Sequence, residues 1–223
     1  MKRRELFTGI ASKASFEPHI ASPGVGRFTN ALLRTHENQE IKFYDDLIRG
    51  RQVVINFMYA DCHGACPMVT STLIKVHRAL KNRMGKDVFF YSITVKPETD
   101  DAAALKHYAK TRKANLPGWL FLTGDSYDIE TIRFRLFGMY HPGFDLDAAM
   151  HAGTLRVIND ATNVWTTVEA FASLKTILTH VSWADPPKSY AQRWAESLTR
   201  QAEMNKQVKK YGYVRETFGN FGS

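Results

Sequence analysis

Cysteine is almost missing from this sequence: its 223 residues hold two, Cys62 and Cys66. Two cysteines cannot form a disulfide framework, and a bridge between residues so close in sequence closes a small loop of little entropic value. Stapling is therefore a poor reason for the pair, and chemistry a better one. Long apolar runs are absent as well. No stretch of about 18 apolar residues occurs, so nothing reads as a membrane-spanning helix. No internal repeat is visible. No nucleic-acid recognition motif accompanies the net charge of +8, so no nucleic acid is expected as a partner. Acidic partners or an anionic membrane surface suit that balance better. What remains is an ordinary globular composition, 44% hydrophobic, long enough for one core with appendages.

The amino terminus, Met1-Lys2-Arg3-Arg4-Glu5-Leu6-Phe7, resembles a twin-arginine export signal and points to the periplasm or cell envelope. The apolar stretch that should follow is weak, interrupted by Lys13 and Glu17. A basic tail in the cytoplasm is the alternative reading. Residues 1–26 are set apart from the fold either way.

The folded part is expected at 27–184. A hairpin is expected over 31–35 and 40–43, then a short helix over 44–49. The run Gln52-Val53-Val54-Ile55-Asn56-Phe57-Met58-Tyr59 is continuous rather than alternating, as in a strand buried on both faces. A helix over 67–83 follows, with Val69, Leu73, Val76 and Leu80 on one face. A second buried strand is expected at 88–95, then a helix capped by Asp100. Next come a strand at 119–122, a helix through Ile129 and Ile132, a hairpin over 153–158 and 163–167, and a helix over 169–181. Alternating strands and helices closed by a β-hairpin and helix describe an α/β sandwich. Their order is that of a thioredoxin-like fold with an added N-terminal β-hairpin.

From residue 185 onward the character changes to a basic helical C-terminal extension. From Pro186 the chain has seven Lys/Arg and three Glu, a charge of +4 and half the total. Trp194, Leu198 and Met204 are expected to be its stripe against the domain's flank. Its charge also suits a peripheral membrane surface.

The loop Cys62-His63-Gly64-Ala65-Cys66-Pro67 lies between a buried strand and a helix, which puts both thiols at a helix N-terminus. Unpaired N–H groups and the helix dipole there favour a thiolate. Cys62 is expected to be exposed in the loop and Cys66 to begin the helix, with Pro67 where a missing N–H costs nothing. Gly64 is expected to allow the tight turn. Two thiolates suit Cu(I), or zinc with further ligands. A structural zinc site would want a second cysteine pair, and none exists. Thioredoxin-type oxidoreductases space their cysteines by two residues. Three residues widen the loop, which suits holding an ion without forbidding a disulfide.

The segment from Phe57 to Pro67 resembles the motif of the Sco/SenC family, copper chaperones of cytochrome oxidase assembly. Ser92-Ile93-Thr94-Val95-Lys96-Pro97-Glu98-Thr99-Asp100 is similar to the family's second-strand motif. His151 stands before the penultimate strand, where the family has its histidine ligand. The resemblance spans about residues 29 to 181. It implies a copper site of Cys62, Cys66 and His151, taking Cu(I) or Cu(II), and a cuproenzyme subunit or another copper carrier as partner. Met150-His151 stands where thioredoxins carry a cis-proline, which favours metal binding over general dithiol exchange. The sequence departs from the family pattern at His63 for proline, Lys96 for aspartate and Met150 for an acidic residue. His63 reads as a polar spacer, with an extra metal ligand as the alternative, and Met58 and Met68 as core packing. The expected function is copper delivery. The rival is a thiol-disulfide reductase in which Cys62 attacks and Cys66 resolves.

Overall fold

The computed structural model describes residues 27–137 and 153–211. The chain divides into two compact units, Met1–Asp185 and Pro186–Ser223.

The first unit is built on a seven-stranded mixed sheet. Its strands are β1 Leu32–Thr35, β2 Glu40–Lys42, β3 Gln52–Met58, β4 Val88–Thr94, β5 Trp119–Gly124, β6 Thr154–Asn159 and β7 Val164–Glu169, in the order β2-β1-β5-β4-β3-β6-β7. The central three, β3, β4 and β5, are parallel. Parallel neighbours need long crossovers. Helix α1, Ala65–Leu80, supplies the first and α2, Ala102–Thr111, the second. The hairpin β6–β7 adds antiparallel to β3, and the N-terminal hairpin adds antiparallel to β5. Helix α3 is Ser126–Phe137 and α4 is Leu174–Trp183. This is the thioredoxin-like α/β sandwich with its added hairpin.

Every residue of β3 and β4 is buried, because both faces of the sheet are covered. Val54 and Met58 face one core with Val69, Leu73 and Val76 of α1, Leu105 and Tyr108 of α2, and Ile177 and Val181 of α4. Val53, Ile55 and Phe57 face the other, with Phe43, Leu47 and Ile48 of a wide helical turn at Phe43–Ile48 and Ile129, Ile132 and Leu136 of α3. The period-two alternation along β3 thus sorts its side chains between two cores. Both cysteines belong to the first.

Three local expectations are corrected. Asp101, not Asp100, caps α2, its side chain accepting from Ala104 N at 2.8 Å. Helix α4 starts at Leu174 behind the cap Ser173, because Glu169 is still paired with Thr154 in the β6–β7 ladder. Met68 is 57% exposed, so core packing does not account for it, whereas Met58 is buried.

The second unit contains helix α5, Tyr190–Tyr211. Trp194, Leu198, Met204 and Val208 lie along it and are exposed.

One buried titratable group makes stability pH-dependent. His36 is buried, and its Nδ1 accepts the Phe121 backbone N–H at 3.3 Å. Burial holds its pKa below the ordinary 6.5, with nearby Lys106 adding to the effect and Glu37 opposing it. A folded state that takes up the proton less readily than the unfolded chain loses stability as pH falls through the unfolded pKa. Between pH 7.5 and 5 the wild type is therefore expected to lose more stability than His36→Gln, whose amide oxygen takes the same N–H. Urea midpoints of the two proteins at both pH values check this. Parallel profiles would reject the assignment.

Candidate functional site

Strand β3 ends at Met58, and the chain passes through Tyr59, Ala60 and Asp61 to Cys62 before α1 begins at Ala65. The site therefore sits at the carboxyl end of a central parallel strand, where open α/β sheets place their ligands. Gly64 is the N-cap of α1 and offers no side-chain hydrogen bond, and the first turn carries no acidic residue. Its N–H groups need another acceptor.

The sulfur of Cys62 takes that place. It accepts the backbone N–H groups of Cys66 and Gly64, the Cys66 thiol and the Tyr59 hydroxyl. Burial alone pushes the Cys62 thiol up, but these donors together outweigh it and hold its pKa below the ordinary thiol value. Hydrogen bonds to the charged form act in this direction. Cys66 goes the opposite way. Burial pushes its thiol up to about 12, helped by its hydrogen bond to Cys62 and the charge there, while the Tyr59 backbone N–H opposes the rise. The pair holds one proton between the sulfurs more firmly than two separate thiols would.

Both cysteines are free and buried, Cys62 at 3% exposure and Cys66 at 2%. The burial of Cys66 in the first turn follows from the α1 stripe. That of Cys62 overturns the expected exposure: its sulfur turns in to the N–H groups at the helix start. Gly64 has φ −107° and ψ −110°, and a Cβ added there would meet nothing within 4 Å. No close approach therefore demands glycine at this turn.

Two tyrosines that sequence reasoning passed over frame the sulfurs. Tyr59 donates to Cys62 from the loop, and Lys96 Nζ lies 4.1 Å from the centre of its ring. Tyr108 of α2 is buried with its hydroxyl 2.9 Å from Thr70 Oγ1. Burial pushes Tyr108 up to about 12, Thr70 opposing and the charges of Cys66 and Cys62 adding to the rise. Tyr59 follows directly on an apolar strand, which is the one signal that marked it.

Asp100 was also missed in this role. It is buried at 2% exposure, and its Oδ2 accepts the Ala60 N–H at 2.8 Å and the Thr94 hydroxyl at 2.5 Å. Thr94 Oγ1 in turn accepts the Lys96 N–H at 3.0 Å. The carboxylate clamps the approach to Cys62 against the end of β4.

The other expected site residues separate. His63 is 89% exposed, with Nε2 3.4 Å from Asp61 Oδ1, while both sulfurs are buried. His151 and Met150 lie outside the described residues, as do residues 1–26. Among the described residues no group of three His, Cys, Asp or Glu side chains converges. The described part thus brings two sulfur donors together, one of them with its pKa lowered. Such a pair can hold a soft monovalent cation or pass two electrons.

The fold has relatives among known proteins. A family model described as SCO1/SenC matches residues 31–184. No curated protein sequence matches significantly. Among solved structures, a SCO1/SenC family lipoprotein from Bacillus anthracis str. Ames is 19% identical, with a TM-score of 0.59, covering 70% of this chain and 94% of its own. BsSco, a Sco family cytochrome c oxidase assembly protein with an identified disulfide switch, is 20% identical, with a TM-score of 0.57 and coverages of 69% and 90%. Bradyrhizobium japonicum ScoI with copper bound is 19% identical, with a TM-score of 0.54 and coverages of 70% and 97%. At these identities the structures speak for the fold.

Proposed function

Because the chain belongs to the SCO1/SenC family, we propose that it carries copper between Cys62 and Cys66, completes the site with His151, and delivers the ion to a cuproenzyme such as cytochrome c oxidase or to another carrier. The observation that supports this most is the thiol pair itself: two free sulfurs, buried together, one of them with a lowered pKa. Thiolates are soft donors matched to Cu(I), and an added imidazole also accommodates Cu(II). The copper-bound ScoI of Bradyrhizobium japonicum supports the choice of metal. His63, turned to solvent, serves as a spacer. Copper here is cargo. The protein's residues hold it, shield it and release it to acceptor thiolates by ligand exchange.

The test is a competitive Cu(I) titration of the reduced protein against a chelator, repeated with His151→Ala and with Cu(II). The expected result is one tightly held Cu(I) per chain, and a His151→Ala variant weakened most towards Cu(II). A wild type that binds no better than a protein with both cysteines replaced by serine ends the copper reading. A His151→Ala protein that matches wild type in both copper states removes the third ligand.

The unequal pKa values favour a second reading, reduction of a partner's copper-ligand cysteines. The Cys62 thiolate attacks one sulfur of the partner's disulfide and releases the other as a thiolate. Cys66 then loses its proton and attacks Cys62. The partner leaves as a dithiol, two electrons richer, and this protein is left with a Cys62–Cys66 disulfide. The disulfide switch of BsSco supports such chemistry in this fold.

The amino-terminal arginines and the lipoprotein relative support a place in the cell envelope. No helix among the described residues is long and apolar enough to cross a membrane. Helix α5 offers an exposed stripe of Trp194, Leu198, Met204 and Val208, with Arg193, Arg200 and Lys206 elsewhere on the same helix. That combination suits the surface of an anionic bilayer, each basic residue there adding about 1 kcal/mol. The protein is expected to sediment with phosphatidylglycerol vesicles more than with phosphatidylcholine vesicles, and to lose the difference with Trp194→Glu and Leu198→Glu together. Equal sedimentation with both lipids removes this role.

A further inference from the structure

The two edges of the sheet are guarded unequally. Strand β2 at one edge has three residues, Glu40-Ile41-Lys42, with a charge at each end. A short, charged edge discourages further pairing. Strand β7 at the other edge runs for six residues, Val164-Trp165-Thr166-Thr167-Val168-Glu169. All but Glu169 are β-branched or aromatic, the types that favour strands. It has neither lysine nor proline, the usual guards of an open edge. Among the described residues no strand pairs with its outer side.

The hairpin register fixes which backbone groups face outward. Gly153 and Ala170 stand opposite each other, one step beyond Thr154 and Glu169, and Ala170 N donates to Gly153 O at 2.9 Å. Bonded and unbonded pairs alternate along an antiparallel ladder. Val164, Thr166 and Val168 therefore bond inward to β6, while Trp165, Thr167 and Glu169 turn their N–H and C=O groups outward. The Glu169 C=O also accepts Ala172 N–H at 3.1 Å, and a carbonyl has room for a second donor. The side chains of these three residues share one face. Trp165 packs on the second core, and Thr167 and Glu169 are exposed. Over the Trp165 ring, 5.0 Å from its centre, lies the guanidinium of Arg27, which also donates to Asn163 Oδ1 at 2.8 Å.

We propose that β7 is the surface through which two copies of this chain pair, antiparallel and about a two-fold axis at Thr167. The strand is complementary to itself in that register. Thr167 faces Thr167 of the second copy, and the two exchange both main-chain hydrogen bonds. Trp165 faces Glu169 of the second copy, which brings that carboxylate to the ring that Arg27 covers. Directly opposed residues have Cβ atoms about 4.5–5.5 Å apart, a gap that a glutamate side chain spans to reach the guanidinium. Symmetry makes the contact twice. Sliding the strands to set Glu169 against its own copy opposes like charges instead. The two sheets then continue as one, and the open edge disappears from both copies.

Sedimentation velocity of the reduced full-length protein over a concentration series tests this. One strand pair buries little area, so a weak dimer is expected, half-formed at about 10–100 μM chain. Thr167→Pro is the informative variant. The Thr167 N–H points outward, so proline there spares the β6–β7 ladder and removes the central bonds of the dimer. Dimerisation should weaken by about tenfold or more, since both of those bonds are lost together. Proline also removes the hydroxyl that receives Arg156 Nη1, so urea midpoints check that each variant is folded. Glu169→Arg and Arg27→Glu should each weaken the dimer about tenfold, because each reverses two contacts. Combined, they should return it to within about threefold of wild type.

A wild type still monomeric at about 1 mM overturns the proposal and leaves the edge to a foreign strand. So does a dimer that Thr167→Pro and both charge reversals leave unchanged, since another surface then holds it. If Thr167→Pro fails to fold, the reversals decide. A double variant that pairs no more tightly than the single ones overturns the meeting of Glu169 with Arg27, and with it the register.

Discussion

Cys66→Ser is expected to lower Cu(I) affinity by about a hundredfold or more, since loss of even an outer-shell partner of a metal ligand costs about 10–100-fold. Serine keeps the shape of the first turn but replaces a soft sulfur with a hard, protonated oxygen. One thiolate then remains where the fold presents two. The apo protein should keep its stability, because the substitution removes neither a methylene nor a helix cap. An unchanged urea midpoint beside a collapsed affinity separates ligand loss from unfolding. A Cys66→Ser protein that holds Cu(I) like wild type removes the thiol pair from the site.

The same pair sets the pH dependence of binding. Burial holds the Cys66 thiol up at about 12, so at neutral pH it carries a proton that an entering ion must displace. Ligand sulfurs must be deprotonated to bind, so affinity rises with pH. Between pH 6 and 8 the apparent Cu(I) affinity should climb about tenfold per pH unit for each proton released, and Cys66 releases one. A flat profile would mean that copper is held without Cys66.

Asp100→Ala is the second large effect, and it acts on the frame of the site. Its carboxylate is the acceptor for the Ala60 N–H and the Thr94 hydroxyl. Truncation leaves both donors unpaired, Thr94 at 0% exposure, for a cost of about 3 kcal/mol by the usual penalty for orphaned buried groups. The urea midpoint should fall with little change in slope, as for a loss of stability without loss of compactness. The loop to Cys62 also loses its tether to β4, so copper should leave faster at any denaturant concentration that keeps the protein folded. Asp100→Asn retains one acceptor oxygen and should fall between. If Asp100→Ala releases copper at the wild-type rate, the clamp does not position the loop.

Much of this architecture was legible in the sequence. The unbroken apolar run of β3 announced a strand covered on both faces, and the spacing of Val69, Leu73, Val76 and Leu80 announced the buried face of α1. These signals are repetitive and local, so they survive without tertiary knowledge. The pairing of a thiol loop with a helix start was legible for the same reason.

What was not legible depends on a single distant partner. Asp100 and Asp101 both fit the pattern of a helix cap, and only the Ala60 N–H, forty residues earlier, draws Asp100 inward and leaves the cap to Asp101. The exposure of Cys62 is likewise a property of what surrounds it. A loop cysteine between Asp61 and His63, both exposed, reads as exposed, yet its sulfur turns in to the helix N–H groups. Met68 was misread because helical spacing places it beside a buried face without saying where that face ends. Helix α4 began later than expected because strand pairing outlasted the apolar pattern. Tyr59 and Tyr108 come from different elements, and only the fold brings both to the sulfurs. His151 lies outside the described residues, and its role rests on the proposal.

The burial of both sulfurs decides how an ion would be kept. An exposed dithiol surrenders its metal to any chelator that collides with it, so its only safeguard is affinity. A recessed one can be slow to leak while binding no more tightly, because small thiols and oxidants reach buried sulfurs less readily than exposed ones. Retention then becomes a matter of lifetimes. A partner that docks can draw out what a dilute competitor of equal strength cannot, and a carrier built this way chooses its recipient by access.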